Sequence, residues 1–186
     1  MGWLRPNSLS FQARGDTVKQ SNSHQLGAKM SEGFSLNSIE LQDFQPNRYP
    51  FLMIDIVEWV VPGKSARGFK NLTQNEWYFP QHFPGHPNMP GALQLEALAQ
   101  MLTVAVTTQP GLQGKVTHAL SHTVRFKKEV LPGDRFQIET EVISWNRGIC
   151  RGRGIGMTNG EVACEADMTI TIPEILEQYL PRTKKQ

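Results

Sequence analysis

The chain has 186 residues, a formal net charge of +2 and two cysteines. This length predicts one domain, large enough to bury a hydrophobic core. The small excess of positive charge is too weak to indicate nucleic-acid binding, and no apolar run is long enough to span a bilayer. Two cysteines in a domain of this size predict no disulfide framework, so we expect a soluble protein of the reducing cytoplasm.

The two ends of the chain differ from the middle. Residues 1–37 are rich in Ser, Gln, Asn and Gly and lack apolar periodicity, which predicts a mobile N-terminal extension. An added leader or an organelle transit peptide is the alternative for this segment. We expect the folded domain over residues 38–178 and a solvated polar tail over residues 179–186.

The middle of the chain alternates strand patterns with one helix pattern. Before the helix, residues 51–61 and 66–72 are rich in β-branched and aromatic side chains, which predicts two strands. After it, hairpin turn sequences separate four more predicted strands. These are residues 117–130, 135–145, 149–157 and 162–172. About six strands and one helix predict an α+β domain in which an antiparallel sheet wraps around one long central helix.

The helix is predicted to begin at Pro90 and to stop before Pro110-Gly111. Its buried face is expected to carry residues that recur every three or four positions. These are Leu93, Glu96, Ala97, Gln100, Met101 and Val104. An ionised carboxylate on that face is costly unless it is paired. The alternative for Glu96 is a helix-end residue in contact with solvent.

A rigid loop precedes the helix. Residues 82–91 read His-Phe-Pro-Gly-His-Pro-Asn-Met-Pro-Gly, and the prolines restrict the conformations of the loop. His82 and His86 should therefore be held in place. A fixed histidine beside a helix carboxylate is suited to general acid–base catalysis.

Two other motifs resemble binding sites without completing one. His82 to His86 and His118 to His122 have the spacing of metal-ligand pairs, but no cysteine or acid completes a ligand set. We therefore predict no metal and a loop-structuring role for His86. The run Gly152-x-Gly154-x-Gly156 lacks the dinucleotide-binding spacing, and we expect close packing against its strand.

Several motifs in order resemble the beta-hydroxyacyl-acyl-carrier-protein dehydratases of bacterial-type fatty acid synthesis, the FabZ-type enzymes of the hotdog fold. The resemblance extends over roughly residues 45–173. Its most specific segments are His82-Phe-Pro-Gly-His-Pro, Met89-Pro-Gly and Leu95-Glu-Ala-Leu-Ala-Gln100. It implies a hotdog fold and the conversion of (3R)-3-hydroxyacyl thioesters on acyl carrier protein into trans-2-enoyl thioesters, without cofactor or metal.

The resemblance also implies roles for particular residues. His82 corresponds to the catalytic base and Glu96 to the acid, or to a group that orients a water. Gly91 is expected to donate its N–H to the thioester oxygen, Gln100 to fix the carboxylate, and Phe83 to contact the substrate. For Gly91 a packing glycine, and for Gln100 a neutral core hydrogen bond, remain alternatives. The related dehydratase and isomerase branch has an aspartate at the helix position, so Glu96 favours dehydration alone.

Partners follow from the same resemblance. The family builds its site across a homodimer, often within a trimer of dimers, so we expect at least a homodimer. Lys127 and Lys128 are expected to dock the acidic carrier protein, with ordinary solvated lysines as the alternative. We expect no nucleic-acid or membrane partner. The alternative functions are an enoyl-CoA hydratase, an acyl thioesterase or a non-catalytic acyl-binding protein.

The chain departs from the family pattern on one predicted strand. Leu120 and His122 stand where the family usually has glycine and aspartate. A smaller departure is Gln81 in place of the glycine before His82. These changes in bulk and charge fall near the expected substrate or subunit interface.

Overall fold

The computed structural model describes residues 33–181, in which one long helix packs against a seven-stranded antiparallel sheet. The helix, α1, spans Gly91–Thr107 and contacts strands β2 to β7. The strands, in the spatial order β1-β2-β3-β5-β6-β7-β4, are β1 (Phe34–Leu36), β2 (Ile56–Val61), β3 (Ser65–Asn71), β4 (His118–Phe126), β5 (Arg135–Asn146), β6 (Ile149–Thr158) and β7 (Glu161–Thr171). Shorter elements are a 3-10 helix (Glu40–Asp43), α2 (Pro173–Leu176) and a 3-10 helix (Glu177–Tyr179). The predicted α+β architecture is confirmed.

The first strand corrects the predicted domain boundary. β1 pairs with β2 through Phe34↔Val60 and Leu36↔Val57, although it lies inside the segment assigned to the extension. The folded domain therefore begins before residue 37, and the sheet has seven strands rather than about six. A strand of three residues is too short to show periodicity. Residues 1–32 and 182–186, with most of the predicted extension and tail, lie outside the described residues.

The segment before β2 is bound to the helix rather than to a strand. The prediction placed a strand from residue 51, but β2 begins at Ile56. The carbonyl of Phe51 accepts a hydrogen bond from Gln100 Nε2 at 2.7 Å, and the N–H of Met53 donates to Gln100 Oε1 at 2.8 Å. The backbone of this segment therefore finds its partners on a helix side chain, which a strand pattern does not reveal.

Helix α1 is buried on almost every side. It begins at Gly91, with Pro90 as the residue that precedes the first turn. From Gln100 to Thr107 every residue is buried, whereas the N-terminal half keeps one more open stripe. This open stripe consists of Ala92, Leu95, Glu96 and Ala99. Glu96 is therefore only partly buried, and the prediction that it lies on the buried face is wrong.

Three glycines of β6 allow its neighbours to approach closely. A Cβ atom on Gly152 would lie 2.5 Å from Cδ1 of Leu102, and one on Gly154 would lie 2.9 Å from Cε of Met168. A Cβ on Gly156 would overlap the ring of Phe136. The predicted close packing on this strand is confirmed.

Strand β4 forms one edge of the sheet and pairs with β7 alone. Its register shifts between Ala119, opposite Ile170, and Ser121, opposite Thr169. Because of this bulge, Ala119 and His122 face the helix together, and His118 lies on the opposite face. His118 and His122, although four residues apart, therefore do not share a face of the sheet. Two apolar side chains of the edge, Leu120 and Phe126, are each 51% exposed.

Candidate active site

Backbone hydrogen bonds fix the loop that carries His82. The N–H of His82 donates to the carbonyl of Tyr78 at 2.9 Å, and the N–H of Asn88 donates to the carbonyl of His82 at 2.9 Å. Further along, the N–H of Met89 donates to the carbonyl of Val130 at 2.7 Å. The loop is thus tied at its base, at its tip and to the segment that follows β4.

The imidazole of His82 has a defined proton position. Its Nδ1 lies 3.0 Å from the carbonyl oxygen of Asn88. A carbonyl oxygen only accepts hydrogen bonds, so Nδ1 must carry the hydrogen. In the neutral ring Nε2 then has a free lone pair, which is the state that a general base requires.

The two other predicted loop residues have different surroundings. The ring of Phe83 stacks on that of His82, with centroids 4.1 Å apart, and its side chain is 55% exposed. His86 Nε2 lies 3.1 Å from Glu129 Oε1, and both side chains are exposed. Phe83 is therefore available to a substrate beside His82, while His86 ties the loop to a neighbouring segment.

Glu96 is held by two amide groups. Its Oε1 accepts hydrogen bonds from Gln100 Nε2 at 2.8 Å and from Asn47 Nδ2 at 3.2 Å. Gln100 lies one helical turn beyond Glu96 and also bonds the backbone of Phe51 and Met53. These bonds fix which end of the Gln100 amide faces the carboxylate. The structure therefore brings Gln100 to Glu96 and also gives it the core hydrogen bonds that were its alternative role.

Asn47 is a site residue that sequence reasoning did not select. Its N–H donates to Gln45 Oε1 at 3.3 Å, and the guanidinium of Arg48 donates to the carbonyls of Gln45 and Asn47 at 2.6 and 3.0 Å. These contacts shape the segment that presents Asn47 to Glu96. The two residues are 49 positions apart, so no local spacing pattern could indicate the contact.

A small polar cavity of about 70 Å³ lies beside Glu96. The hydroxyls of Thr103 and Thr117 meet there at 2.8 Å, and Ala119 of the edge strand forms part of the wall. Its lining residues are Gln45, Asn47, Glu96, Ala99, Gln100, Thr103, Thr117, Ala119 and Ile170. Its size and polar lining suit water molecules.

A second histidine lies near Glu96. His122 faces the helix from β4, and its Nδ1 is buried without a hydrogen-bond partner among the described residues. Burial lowers the pKa of His122, and the negative charge of Glu96 opposes that shift. The sequence signals for this residue were its spacing from His118 and its departure from the family aspartate.

Gly91 is the first residue of α1, where backbone N–H groups have no partner within the helix. Within residues 33–181 its N–H has no hydrogen-bond acceptor. A Cβ atom at Gly91 would lie 2.8 Å from Cζ of Phe126. The edge strand therefore runs beside the open stripe, with Phe126 at the start of the helix and Ala119 near Glu96. No hydrogen bond or ion pair joins His82 to Glu96 within the described part of one chain.

The two lysines predicted to dock a carrier follow directly after β4. Lys127 Nζ lies 2.9 Å from Glu165 Oε2, and Lys128 forms an ion pair with Glu161. The lysine hydrogen bonds lower the pKa of both carboxyl groups. Both lysines are partly exposed, and each is paired within its own chain. Their role in docking stays a prediction.

Residues 33–181 contain no cluster of three or more His, Cys, Asp or Glu side chains that could hold a metal ion. None of the helices described here combines the length and apolar character needed to cross a bilayer.

Named relatives are similar in sequence to most of this chain. The 3-hydroxyacyl-acyl-carrier-protein dehydratase FabZ of Bacillus subtilis is 41% identical over 140 residues, which is 75% of this chain and 99% of the relative. The enzyme of the same name from Caldicellulosiruptor bescii is 43% identical over 137 residues, 73% of this chain and 98% of the relative. That from Moorella thermoacetica is 41% identical over 138 residues, 74% and 96% of the two chains.

Solved structures share the fold of this chain, and a family model matches most of the folded domain. The dehydratase heterocomplex ApeI:P of Xenorhabdus doucetiae superposes with a TM-score of 0.63 at 14% identity, over 75% of this chain and 95% of that chain. The PaaI protein of E. coli gives a TM-score of 0.51 at 16% identity, over 64% and 78%. Both show the predicted hotdog fold. The FabA-like domain matches residues 45–167. The chain therefore belongs to the FabA-like domain family, on its FabZ branch.

Proposed function

We propose that the protein is a 3-hydroxyacyl-acyl-carrier-protein dehydratase of fatty acid biosynthesis. It converts (3R)-3-hydroxyacyl thioesters into trans-2-enoyl thioesters. The observation that carries this proposal is the identity of about 41% with FabZ dehydratases over nearly their whole length. The geometry around His82 and Glu96 supplies groups that suit the reaction.

His82 is proposed as the base. Dehydration removes a proton from C2 of the acyl chain, and the pair of electrons left behind forms the new double bond as the C3 hydroxyl leaves. With Nδ1–H bound to the carbonyl of Asn88 at 3.0 Å, Nε2 is the nitrogen that accepts this proton. The fixed loop holds the ring in one orientation, which reduces the entropic cost of the reactive arrangement.

Glu96 is proposed as the acid that protonates the departing hydroxyl, directly or through a water. Because Oε1 already accepts two N–H donors, the acidic proton belongs on Oε2. The released water then has a polar cavity beside Glu96. The reaction changes no oxidation state overall and is complete with one base and one acid, so the proposal includes no cofactor or metal.

The thioester carbonyl is proposed to bind at the start of α1. Negative charge develops on its oxygen when C2 loses a proton, and the free N–H of Gly91 lies at the positive end of the helix dipole. The exposed ring of Phe83 is available to the acyl chain next to His82.

A homodimer is part of the proposal. Glu96 lies on the open stripe of α1, beside an edge strand that carries the half-exposed side chains of Leu120 and Phe126. An unpaired edge with exposed apolar groups is suited to association with a second copy. The His82 loop of the second chain would then complete the site at Glu96. Assembly into a trimer of dimers is proposed from the family resemblance.

The acyl carrier protein and the location complete the proposal. Lys127 and Lys128 are proposed to attract the acidic carrier, although each is paired with a glutamate in the free chain. The thiols of Cys150 and Cys164 are buried and free, which is consistent with a cytoplasmic enzyme.

One assay tests the function. The purified protein is given the same (3R)-3-hydroxyacyl group on acyl carrier protein and on coenzyme A, and mass spectrometry follows enoyl thioester and free thiol. We expect enoyl formation, faster on the carrier protein, and no turnover of the matched (3S) substrate. Release of thiol would identify a thioesterase, and preference for coenzyme A would identify a hydratase. Binding without turnover would identify a non-catalytic acyl-binding protein.

A further inference from the structure

A partly buried ion cluster lies at the base of the loop that carries His82. Lys70 of β3 is 8% exposed. Its Nζ lies 3.2 Å from Oε1 of Glu76, in the loop, and 3.3 Å from Oδ1 of Asp55, just before β2. The side chains of the two acids are 16% and 34% exposed. Removal of one partner from such a cluster leaves a poorly solvated charge behind.

We propose that Lys70 and Glu76 are positioning residues for His82. Their ion pair fixes the backbone that holds His82, and it thereby sets the distance between the imidazole and the substrate. The inference rests on the proposed function, in which His82 is the base. It assigns a role in turnover to two residues that are not at the reacting atoms.

Two consecutive turns connect the cluster to His82. The carbonyl of Glu76 accepts a hydrogen bond from the N–H of Phe79 at 3.1 Å, and the carbonyl of Tyr78 accepts one from the N–H of His82 at 2.9 Å. Tyr78 and Phe79 are each 1% exposed, and their ring centroids lie 4.7 Å apart. Buried rings cannot rearrange independently of their surroundings. A displacement of Glu76 is therefore passed on to His82.

Within residues 33–181, Lys70 is the only cation that forms an ion pair with Asp55 or Glu76. Asp55 is fixed by the N–H of Asn71, which donates to its Oδ2 at 2.8 Å. The hydroxyl of Tyr78 is buried without a partner among the described residues. Burial raises the pKa of Tyr78, and the charges of Glu76 and Asp55 raise it further. Without Lys70, two carboxylates and a neutral phenol would share this space, and the loop would move to let water in.

A positioning role and a purely structural role make different predictions. If the ion pair is purely structural, its loss lowers the temperature of unfolding but leaves the folded enzyme with its normal kcat. If the ion pair positions His82, its loss lowers kcat even in the folded protein, because a displacement of the base by about 1 Å can cost about a hundredfold in rate. KM should change little, since His82 acts in the transition state rather than in ground-state binding.

The experiment compares Glu76→Gln and Lys70→Met with Lys115→Met. The last variant breaks a 2.6 Å ion pair with Glu174, away from the His82 loop. Circular dichroism establishes that each protein is folded at the assay temperature. We expect kcat to fall at least about tenfold in the first two variants, with KM within about twofold, and to stay unchanged in the third. Lys70→Arg, which keeps the charge, should recover part of the loss.

A second measurement does not depend on turnover. Diethylpyrocarbonate modifies neutral imidazole, and peptide mass analysis follows His82 alone. In Glu76→Gln the loosened loop should make His82 react faster than in the unchanged protein. Normal kcat in folded Glu76→Gln, or an unchanged rate of modification, would overturn the inference. If Lys70→Met does not fold, Glu76→Gln and Lys70→Arg decide. If the protein without substitutions has no dehydratase activity, the proposed function is overturned instead. The modification rate of His82 would still test the positioning of the loop.

Discussion

His82 and Asn88 bind each other in both directions. The N–H of Asn88 donates to the carbonyl of His82 at 2.9 Å, and Nδ1 of His82 donates to the carbonyl of Asn88 at 3.0 Å. This closed pair holds both the backbone and the ring of His82, and it leaves Nε2 free. The arrangement suits a base that must act without reorganising.

The first prediction concerns the two histidines of the loop. We expect His82→Ala to lower kcat by at least about a hundredfold, because the base is lost. His86→Ala is the matched control, since the exposed ring of His86 bonds Glu129, which is also exposed. It should keep nearly normal kcat. Steady-state kinetics on the carrier-bound substrate measures kcat for both variants. If kcat falls no further in His82→Ala than in His86→Ala, His82 is not the base.

A mixing experiment tests whether two chains share one site. His82→Ala and Glu96→Gln should each be inactive alone. If the residues come from different chains, random exchange makes half of the dimers mixed, and each mixed dimer has one intact site. The mixture should then recover about a quarter of normal activity. Mass-tagged chains establish that exchange has occurred. No recovery after proven exchange would place both residues of a site in one chain.

Carrier docking is tested by removing the lysine charges in one variant and the charges of their glutamate partners in another. Lys127→Gln with Lys128→Gln should slow reaction with the carrier-bound substrate, more at low salt than at high salt. Glu161→Gln with Glu165→Gln frees the same lysines from their ion pairs and should speed it. A small pantetheine thioester should be almost unaffected by either change. Parallel effects on both substrates would point to the fold or the site instead.

The partly buried imidazole of His122 should make stability depend on pH. Burial lowers its pKa below the ordinary value of 6.5, so below that pH the unfolded chain binds more protons than the folded one. The free energy of unfolding should therefore fall as the pH drops through and below 6.5 toward the lowered value. Urea unfolding of His122→Gln should show a shallower fall. His86→Gln, which changes an exposed side chain, should keep the original slope. An unchanged slope in His122→Gln would contradict the assignment.

The glycines of β6 allow a graded test of packing. In Gly152→Ala the new methyl group would lie 2.5 Å from Leu102 Cδ1 and 2.8 Å from the carbonyl oxygen of Glu141. In Gly154→Ala it would lie 2.9 Å from the flexible end of Met168 and 3.1 Å from Cβ of Leu98. We expect Gly152→Ala to lower the free energy of unfolding by about 1–3 kcal/mol and Gly154→Ala by clearly less. Denaturant titration measures both, and the opposite order would refute this account.

The elements that could be predicted from the sequence are those with local signals. The apolar spacing of α1 and the turn sequences around Gly133, Gly148 and Gly160 depend on neighbouring residues alone. They predict the helix and six of the strands, whereas the family resemblance rests on the motifs between His82 and Gln100. The three residues of β1 have no such signal, because their pairing with β2 depends on distant residues.

The candidate site divides in the same way. His82, Glu96 and Gln100 belong to one continuous motif, and the structure brings Gln100 to Glu96. Asn47 reaches Glu96 from another segment, and His122 is brought near by the bulge of β4. Lys70 is only six residues from Glu76 in the sequence, but its burial depends on the packing of the whole sheet. Contacts of this kind are set by tertiary packing and cannot be inferred from residue spacing.

The open stripe of α1 limits how this scaffold can acquire new substrates. Inward-facing helix positions are filled by the core, so a change there alters folding before it alters specificity. The four stripe positions, Ala92, Leu95, Glu96 and Ala99, are not fully buried, although Leu95 and Ala99 still pack against that core. Glu96 is proposed to be committed to the chemistry. Natural divergence and laboratory libraries would thus have three helix positions to explore, together with the side chains of β4 that face them.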